Sequence, residues 1–493
     1  MKKVWRAFCC IVLLLAMALA FATLWLRRTW GNIRIEALIL TITQPVVGAD
    51  PKIVLSGALW ILGPVLLAGV AWFLAFRLAK RFPKLGTLVS VASSVLPFLL
   101  LFAAFRYADN RYDIIDFLSA NRHQTEIYSN GTYVAPESVK IKSTGERNNL
   151  IVVYLESVEN SFFAESAGGA TDRELMPELA ELLKEETNVS FSHTEKYGGP
   201  QDFYGTGWSV ASYVATLGGL PLSSSIENDL VDLAFMPGAR MLTDVLADEG
   251  YIQEVVKGGQ SRFAGVSELF ATHGDVSMFD YPVIEKEYSP EEQAHCGWGI
   301  KDYVTLSVAK ERIGKAYAEA QAASTNFNVM IITLDLHTPN GYLCPECPSD
   351  VEGHYPTVIS CQSKQIFAFT EWCKTQPWYE ETTIALIGDH PSMARQHVGF
   401  IPSDYTRTTF NCFIHSKATP VSTKNRVFTR CDFYPTLLAA IGYSVEGDRL
   451  ALGTNLFSDK PTRAEEMGLK TLDYETAGLD TEFTRKIYGG IMF

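Results

Sequence analysis

Histidine is scarce in this chain, with nine residues in 493, which leaves little room for two histidine-rich metal centres. Internal repeats and low-complexity tracts are absent, so neither a solenoid nor a disordered chain fits. No nucleic-acid-binding motif occurs, and the charge argues against that partner as well. Residues 1–107 hold 12 Lys/Arg against 2 Asp/Glu, so the whole-chain charge of −13 leaves −23 on the remainder. A domain that acidic is repelled by a phosphate backbone. The one Cys-x-x-Cys, Cys344-Pro345-Glu346-Cys347, has no matching second pair. That disfavours a zinc ribbon. The pair also follows a strand and loop rather than opening a helix, which disfavours a thioredoxin-like redox motif.

What the chain does have is apolar residue in long runs. Residues 8–26, 53–76 and 87–105 are each long enough to cross a bilayer as a helix. The first run is longer than a signal-peptide core, ends in Arg27-Arg28 and precedes two further runs, so it is read as retained. Arg77, Lys80, Arg81 and Lys84 between the second and third runs, and Lys2, Lys3 and Arg6 before the first, face the cytoplasm by the positive-inside rule. Everything after about Tyr107 is then extracytoplasmic. An amphipathic segment at 35–47 is either interfacial or an additional partial span. The organisation expected is a membrane region at 1–107, a linker at 108–148 and a catalytic domain at 149–493. Of the nine cysteines, Cys9 and Cys10 lie in the first span. The other seven, outside the reducing cytoplasm, suggest about three disulfides and one free thiol, with Cys361 a partner for one of the Cys-x-x-Cys pair.

From Asn149 onward, apolar β-branched runs (149–155, 252–256, 328–334, 382–387, 411–415) alternate with helical apolar spacing (175–185, 239–248, 302–321, 362–374). This pattern predicts an α/β domain built on a mainly parallel sheet. Such sheets collect chemistry at the carboxyl ends of their strands. Glu156 follows the first run, and Asp389-His390 follow Thr382 to Gly388. Between them Gly205-Thr206-Gly207 precedes a helical stretch expected over 208–217. Two carboxylates, an imidazole and a hydroxyl describe a divalent metal beside an activated threonine. Thr206 is therefore expected as both metal ligand and nucleophile, with Ser209 facing away. Mostly oxygen ligands suit manganese or magnesium, and zinc is an alternative. His337, after the 328–334 run, is expected to bind the phosphoryl group or protonate a leaving alkoxide. Arg262 and Trp298 are weaker candidates for phosphate and for glycerol or sugar.

The segments Tyr154-Leu155-Glu156-Ser157, Tyr204-Gly205-Thr206-Gly207-Trp208-Ser209 and Gly388-Asp389-His390-Pro391-Ser392-Met393 resemble the motifs of the membrane-bound phosphoglycerol transferases. These belong to the alkaline phosphatase/sulfatase superfamily. Phe263-Ala264-Gly265, Gly297-Trp298-Gly299, Leu334 to Tyr342 and Asp432 to Leu437 extend the resemblance over roughly residues 148–457. It implies a divalent metal, a phosphatidylglycerol donor, a periplasmic glycan acceptor (osmoregulated periplasmic glucan being the nearest match), an inner-membrane location and a covalent intermediate on Thr206. A sulfatase would need Cys-x-Pro-x-Arg or Ser-x-Pro-x-Arg, and neither surrounds Thr206. A phosphoethanolamine transferase would share the fold and the threonine, and a non-enzymatic lipid sensor would have no need of all four core residues.

Overall fold

A computed structural model describes residues 2–31, 33–43, 48–222 and 234–488. Two compact units emerge, one of residues 1–35 and 49–119, the other of residues 36–48 and 120–493. In the first, helices α1 (Lys2–Thr29), α2 (Pro51–Arg81) and α3 (Pro83–Tyr112) pack on one another. At about 1.5 Å rise per residue, each exceeds the ~30 Å hydrocarbon core of a bilayer. Leu55, Leu66, Leu88 and Phe102 are exposed on these helices, as side chains facing lipid would be. Pro83 forces the break between α2 and α3, because it has no N–H to continue the ladder. Within the amphipathic segment, Ile35–Thr43 is a nine-residue helix, too short to cross by itself, and residues 44–47 lie outside the described residues.

The second unit is built on a six-stranded sheet of β1 (Asn149–Leu155), β2 (Ile252–Lys257), β3 (Ser277–Phe279), β4 (Phe327–Ile332), β5 (Thr382–Gly388) and β6 (Asn411–Ile414). Its order is β3-β2-β4-β1-β5-β6, parallel throughout except for β6 against β5. Every residue of β1, β4 and β5 is buried, which explains why their sequences are continuous apolar runs without alternation. Helices α4 (Ser209–Gly218), α5 (Asp302–Ala323), α6 (His354–Lys374) and α7 (Phe433–Ala440) follow or connect the strands. Because β2, β4, β1 and β5 run the same way, their carboxyl ends share one edge. That edge carries Lys257, the 333–338 loop, Glu156 and Asp389.

Several expectations need correction. The helix after Gly207 starts at Ser209, and the run expected to end at 334 leaves the sheet at Ile332. Edge strand β3 and the helix Tyr281–Tyr288 behind it went unread, since three residues carry no usable periodicity. Residues 120–148, read as a linker, are packed into the second unit. Tyr128 stacks on Phe483 at 3.9 Å, and Ile141–Ser143 pairs with Tyr443–Val445. None of the nine cysteines is disulfide-bonded. Cys373, Cys412 and Cys431 are buried instead as small apolar residues.

Candidate active site and metal centre

Ligand atoms of Glu156, Asp389 and His390 lie within 4.8 Å of one another, and all three residues are buried. Local backbone geometry sets each one. Ser157 has a φ of 58°, a left-handed turn immediately after β1 that leaves Glu156 at the strand end. Gly388 is needed beside Asp389, because a Cβ there would meet the Val158 carbonyl at 2.1 Å. Asp389 Oδ1 accepts from the backbone N–H of Ser157 (2.8 Å) and of His390 (2.7 Å). Its other oxygen, Oδ2, is buried with no partner among the described residues. His390 donates from Nδ1 to the Pro391 carbonyl at 3.0 Å, which presents the Nε2 lone pair to the cluster. Nε2 lies 3.6 Å from Glu156 Oε1 and 3.5 Å from Asp389 Oδ2.

A buried pair of carboxylates with an orphaned oxygen and an aimed imidazole is a donor set that fits a divalent cation. Without one, the cost appears as proton uptake. Burial, then the neighbouring Glu156, pushes Asp389 up to about 7. Burial by itself would lower His390, but Asp389 and Glu156 outweigh it and hold the imidazole above its ordinary value.

The hydroxyl that completes this cluster belongs to Ser209. Its Oγ lies 3.2 Å from His390 Nε2 and 3.5 Å from Glu156 Oε2. Ser209 is the first residue of α4, where free backbone N–H groups and the helix dipole favour an anion. Tyr213, one turn further along, hydrogen-bonds to it. Thr206, by contrast, is fully buried and turned away. Its Oγ1 donates to the Phe203 carbonyl (2.9 Å) and accepts from the Phe203 N–H (3.0 Å), closing the turn before the helix. From beneath, Arg430 braces this turn through the Thr206 carbonyl and an ion pair with Asp202. The structure thus corrects the expectation for both residues: Thr206 locks the turn and Ser209 faces the cluster. The reason is the helix start, which falls at Ser209, one residue later than expected.

His337 lies on the same edge, after β4. Nδ1 donates to the Thr338 carbonyl at 3.1 Å. Burial, with the nearby His390 and Lys257 charges, pushes its pKa down to about 4, so it is a neutral base in the ligand-free site. Trp298 packs against it at a tilt of 48°, with ring centroids 4.2 Å apart, and donates from Nε1 to the Thr338 carbonyl. Phe263 packs on the far side of Trp298. Gly299 lets this corner close, since a Cβ would sit 2.1 Å from the Gly258 carbonyl. Arg262 is exposed and makes no bond to the cluster among the described residues.

One residue was missed. Lys257 ends β2, is buried, and donates to the Gln260 carbonyl at 3.2 Å. Burial pushes its pKa down to about 8 against the pull of Asp280 and Glu156. The signal was present in the sequence as a lysine directly after an apolar strand, followed by Gly258-Gly259. A second layer holds the other flank. Arg407 pairs with Glu159 through both guanidinium nitrogens and donates to the Ser392 carbonyl at 2.7 Å. This fixes the chain just beyond His390.

No family model matches the chain. In sequence it is 29% identical over 253 residues to phosphoglycerol transferase I of Escherichia coli (strain 55989 / EAEC), covering 50% of this chain and 31% of that one. To phosphoglycerol transferase I of Shigella boydii serotype 18 it is 26% identical over 368 residues, covering 73% and 45%. The chain therefore spans less than half the length of these curated relatives. Among solved structures it is similar to the integral membrane lipooligosaccharide phosphoethanolamine transferase A of Neisseria meningitidis. The TM-score is 0.51 at 11% identity, covering 88% of this chain and 84% of that one. In sequence, then, this chain is similar to the phosphoglycerol transferases, and its fold, a mainly parallel α/β domain preceded by three apolar helices, is like that of the phosphoethanolamine transferase.

Proposed function

We propose that this protein transfers phosphoglycerol from phosphatidylglycerol to a periplasmic glycan through a covalent phosphoglyceryl-Ser209 intermediate. The observation that carries the proposal is the Ser209 hydroxyl, 3.2 Å from His390 Nε2 at the head of α4. A divalent ion held by Glu156, Asp389 and His390 would lower the pKa of the Ser209 hydroxyl and polarise the phosphoryl oxygens. Its oxygen-rich donor set suits manganese or magnesium, with zinc the alternative.

In the first half-reaction Ser209 gives up its hydroxyl proton to solvent, Oγ forms the new P–O bond and the bond from phosphorus to the diacylglycerol oxygen breaks. The N-terminal amides of α4 and the Lys257 ammonium receive the phosphate charge. His337 is neutral before substrate arrives. The phosphodiester anion raises its pKa, so it takes up a proton from solvent and delivers it to the departing alkoxide. In the second half-reaction His337 takes the proton of the acceptor hydroxyl as that oxygen displaces Ser209. Trp298 and the Thr338 carbonyl hold the His337 ring for both transfers. The net charge of −23 on the residues after 107 favours a neutral acceptor such as a glucan over a nucleic acid or other polyanion. Three apolar helices and the basic residues 77–84 support the reading that this chemistry occurs on the periplasmic side of the inner membrane, beside its lipid donor.

The test is release of diacylglycerol from phosphatidylglycerol vesicles by the purified full chain, with phosphatidylethanolamine vesicles in parallel. Release from phosphatidylglycerol that requires Ser209 supports the proposal. Release from phosphatidylethanolamine alone would reassign the donor, and turnover independent of Ser209 would overturn the mechanism.

A further inference from the structure

The loop after His337 ends in a second cluster, made of sulfur. Cys344 Sγ lies 3.6 Å from Cys361 Sγ and 3.8 Å from Cys347 Sγ, and all three sulfurs fall within 4.8 Å of one another. Cys344 and Cys347 come from the loop, and Cys361 from the second turn of α6. A zinc–sulfur bond is about 2.3 Å, so two sulfurs on a tetrahedral ion sit about 3.8 Å apart. Both separations from Cys344 match that spacing. An odd number of thiols in mutual contact is also poorly served by disulfide formation, because one pair leaves the third thiol pressed against it.

Polar groups around the cluster are those that stabilise thiolates. The Cys344 N–H donates to Cys347 Sγ at 3.2 Å. Gln365 donates from Nε2 to Cys344 Sγ at 3.2 Å and to Cys361 Sγ at 3.5 Å. Such N–H···S bonds orient and support metal-bound sulfur.

We propose that Cys344, Cys347 and Cys361 form a second metal site, a thiolate centre for zinc, with the three sulfurs as its protein ligands. Coordination converts each thiol to a thiolate and releases its proton. The ion ties the 344–347 end of the loop to α6 and so holds the segment that carries His337. Its all-sulfur donor set separates it from the oxygen-rich Glu156, Asp389 and His390 centre. The Cys-x-x-Cys lacked a second pair in the sequence; the fold supplies a third cysteine instead.

The experiment is metal analysis of the full chain purified in detergent without chelator, as wild type and as Glu156→Ala, Cys347→Ser and Cys361→Ser variants. One equivalent of zinc should remain in Glu156→Ala and be lost from both cysteine variants. Cobalt exchanged into wild type should show sulfur-to-metal charge-transfer absorption, a readout that does not depend on the variants folding. Alkylation and mass measurement without reductant supply the opposite outcome. A disulfide among these three cysteines, with no cobalt–sulfur band and no zinc retained by Glu156→Ala, would overturn the site.

Discussion

Thr206 and Ser209 are hydroxyls three residues apart in one short segment, yet their surroundings assign them opposite work. The Thr206 hydroxyl donates its proton to the Phe203 carbonyl and accepts from the Phe203 N–H, so it is fixed in the turn. Ser209 faces a histidine nitrogen and a carboxylate at a helix N-terminus. A hydroxyl tied into a turn stabilises the fold, whereas one held against a buried charged cluster is available to react. The difference teaches that which hydroxyl faces the cluster depends on where the helix begins, and the glycines flanking Thr206 do not mark that point.

The largest effect should come from Ser209→Ala, which removes the attacking oxygen. Diacylglycerol release should fall by ~10³-fold or more, with unchanged circular dichroism and retained metal. Next is His337→Ala, expected to cost ~10²–10³-fold in kcat, the range for one proton-transfer group. Lys257→Met should lower kcat/KM for the donor by roughly 10–100-fold, the worth of one hydrogen bond to a charged group. An undiminished kcat/KM would remove Lys257 from the phosphate site. Thr206→Val should do something different in kind. It leaves the Phe203 N–H unpaired and should cost roughly 1–3 kcal/mol of stability, read as a lower melting temperature, with activity kept within ~10-fold.

How much of this was legible in the sequence differs from residue to residue. Glu156, Asp389 and His390 each follow a run of buried β-branched residues, and parallel strands bring such ends to one edge, so local pattern sufficed. The Thr206 turn was not legible, because contacts far along the chain fix it: Asp202 with Arg430, and the Thr206 carbonyl with Arg430. Packing of residues 120–148 was hidden for the same reason, since Phe483 and Tyr443–Val445 complete it from the other end of the chain. Lys257 was legible and overlooked. It ends β2 just before two glycines, on the sheet edge that also carries Glu156.

Asp389 sharpens the contrast between an occupied and a metal-free cluster. Its folded-state pKa of about 7 lies above the ordinary carboxylate value, so between roughly pH 4 and 7 the metal-free folded state binds a proton that the unfolded chain has released. Stability of the metal-free protein should therefore fall as pH rises through that window, by roughly 1–4 kcal/mol for this group. Bound metal takes the place of the proton and should flatten the slope. Melting curves from pH 5 to 8, with and without added manganese, check this. Identical slopes in the two series would mean that Asp389 does not face the ion.

The most direct test of the central claim is the identity of the modified residue when phosphatidylglycerol is supplied without an acceptor. Rapid quenching, proteolysis and mass spectrometry of the peptide containing Tyr204 to Leu217 should find one phosphoglyceryl group on Ser209 in wild type. The same adduct should form in Thr206→Val, and none should form in Ser209→Ala. An adduct on Thr206, or one that persists in Ser209→Ala, would contradict the account.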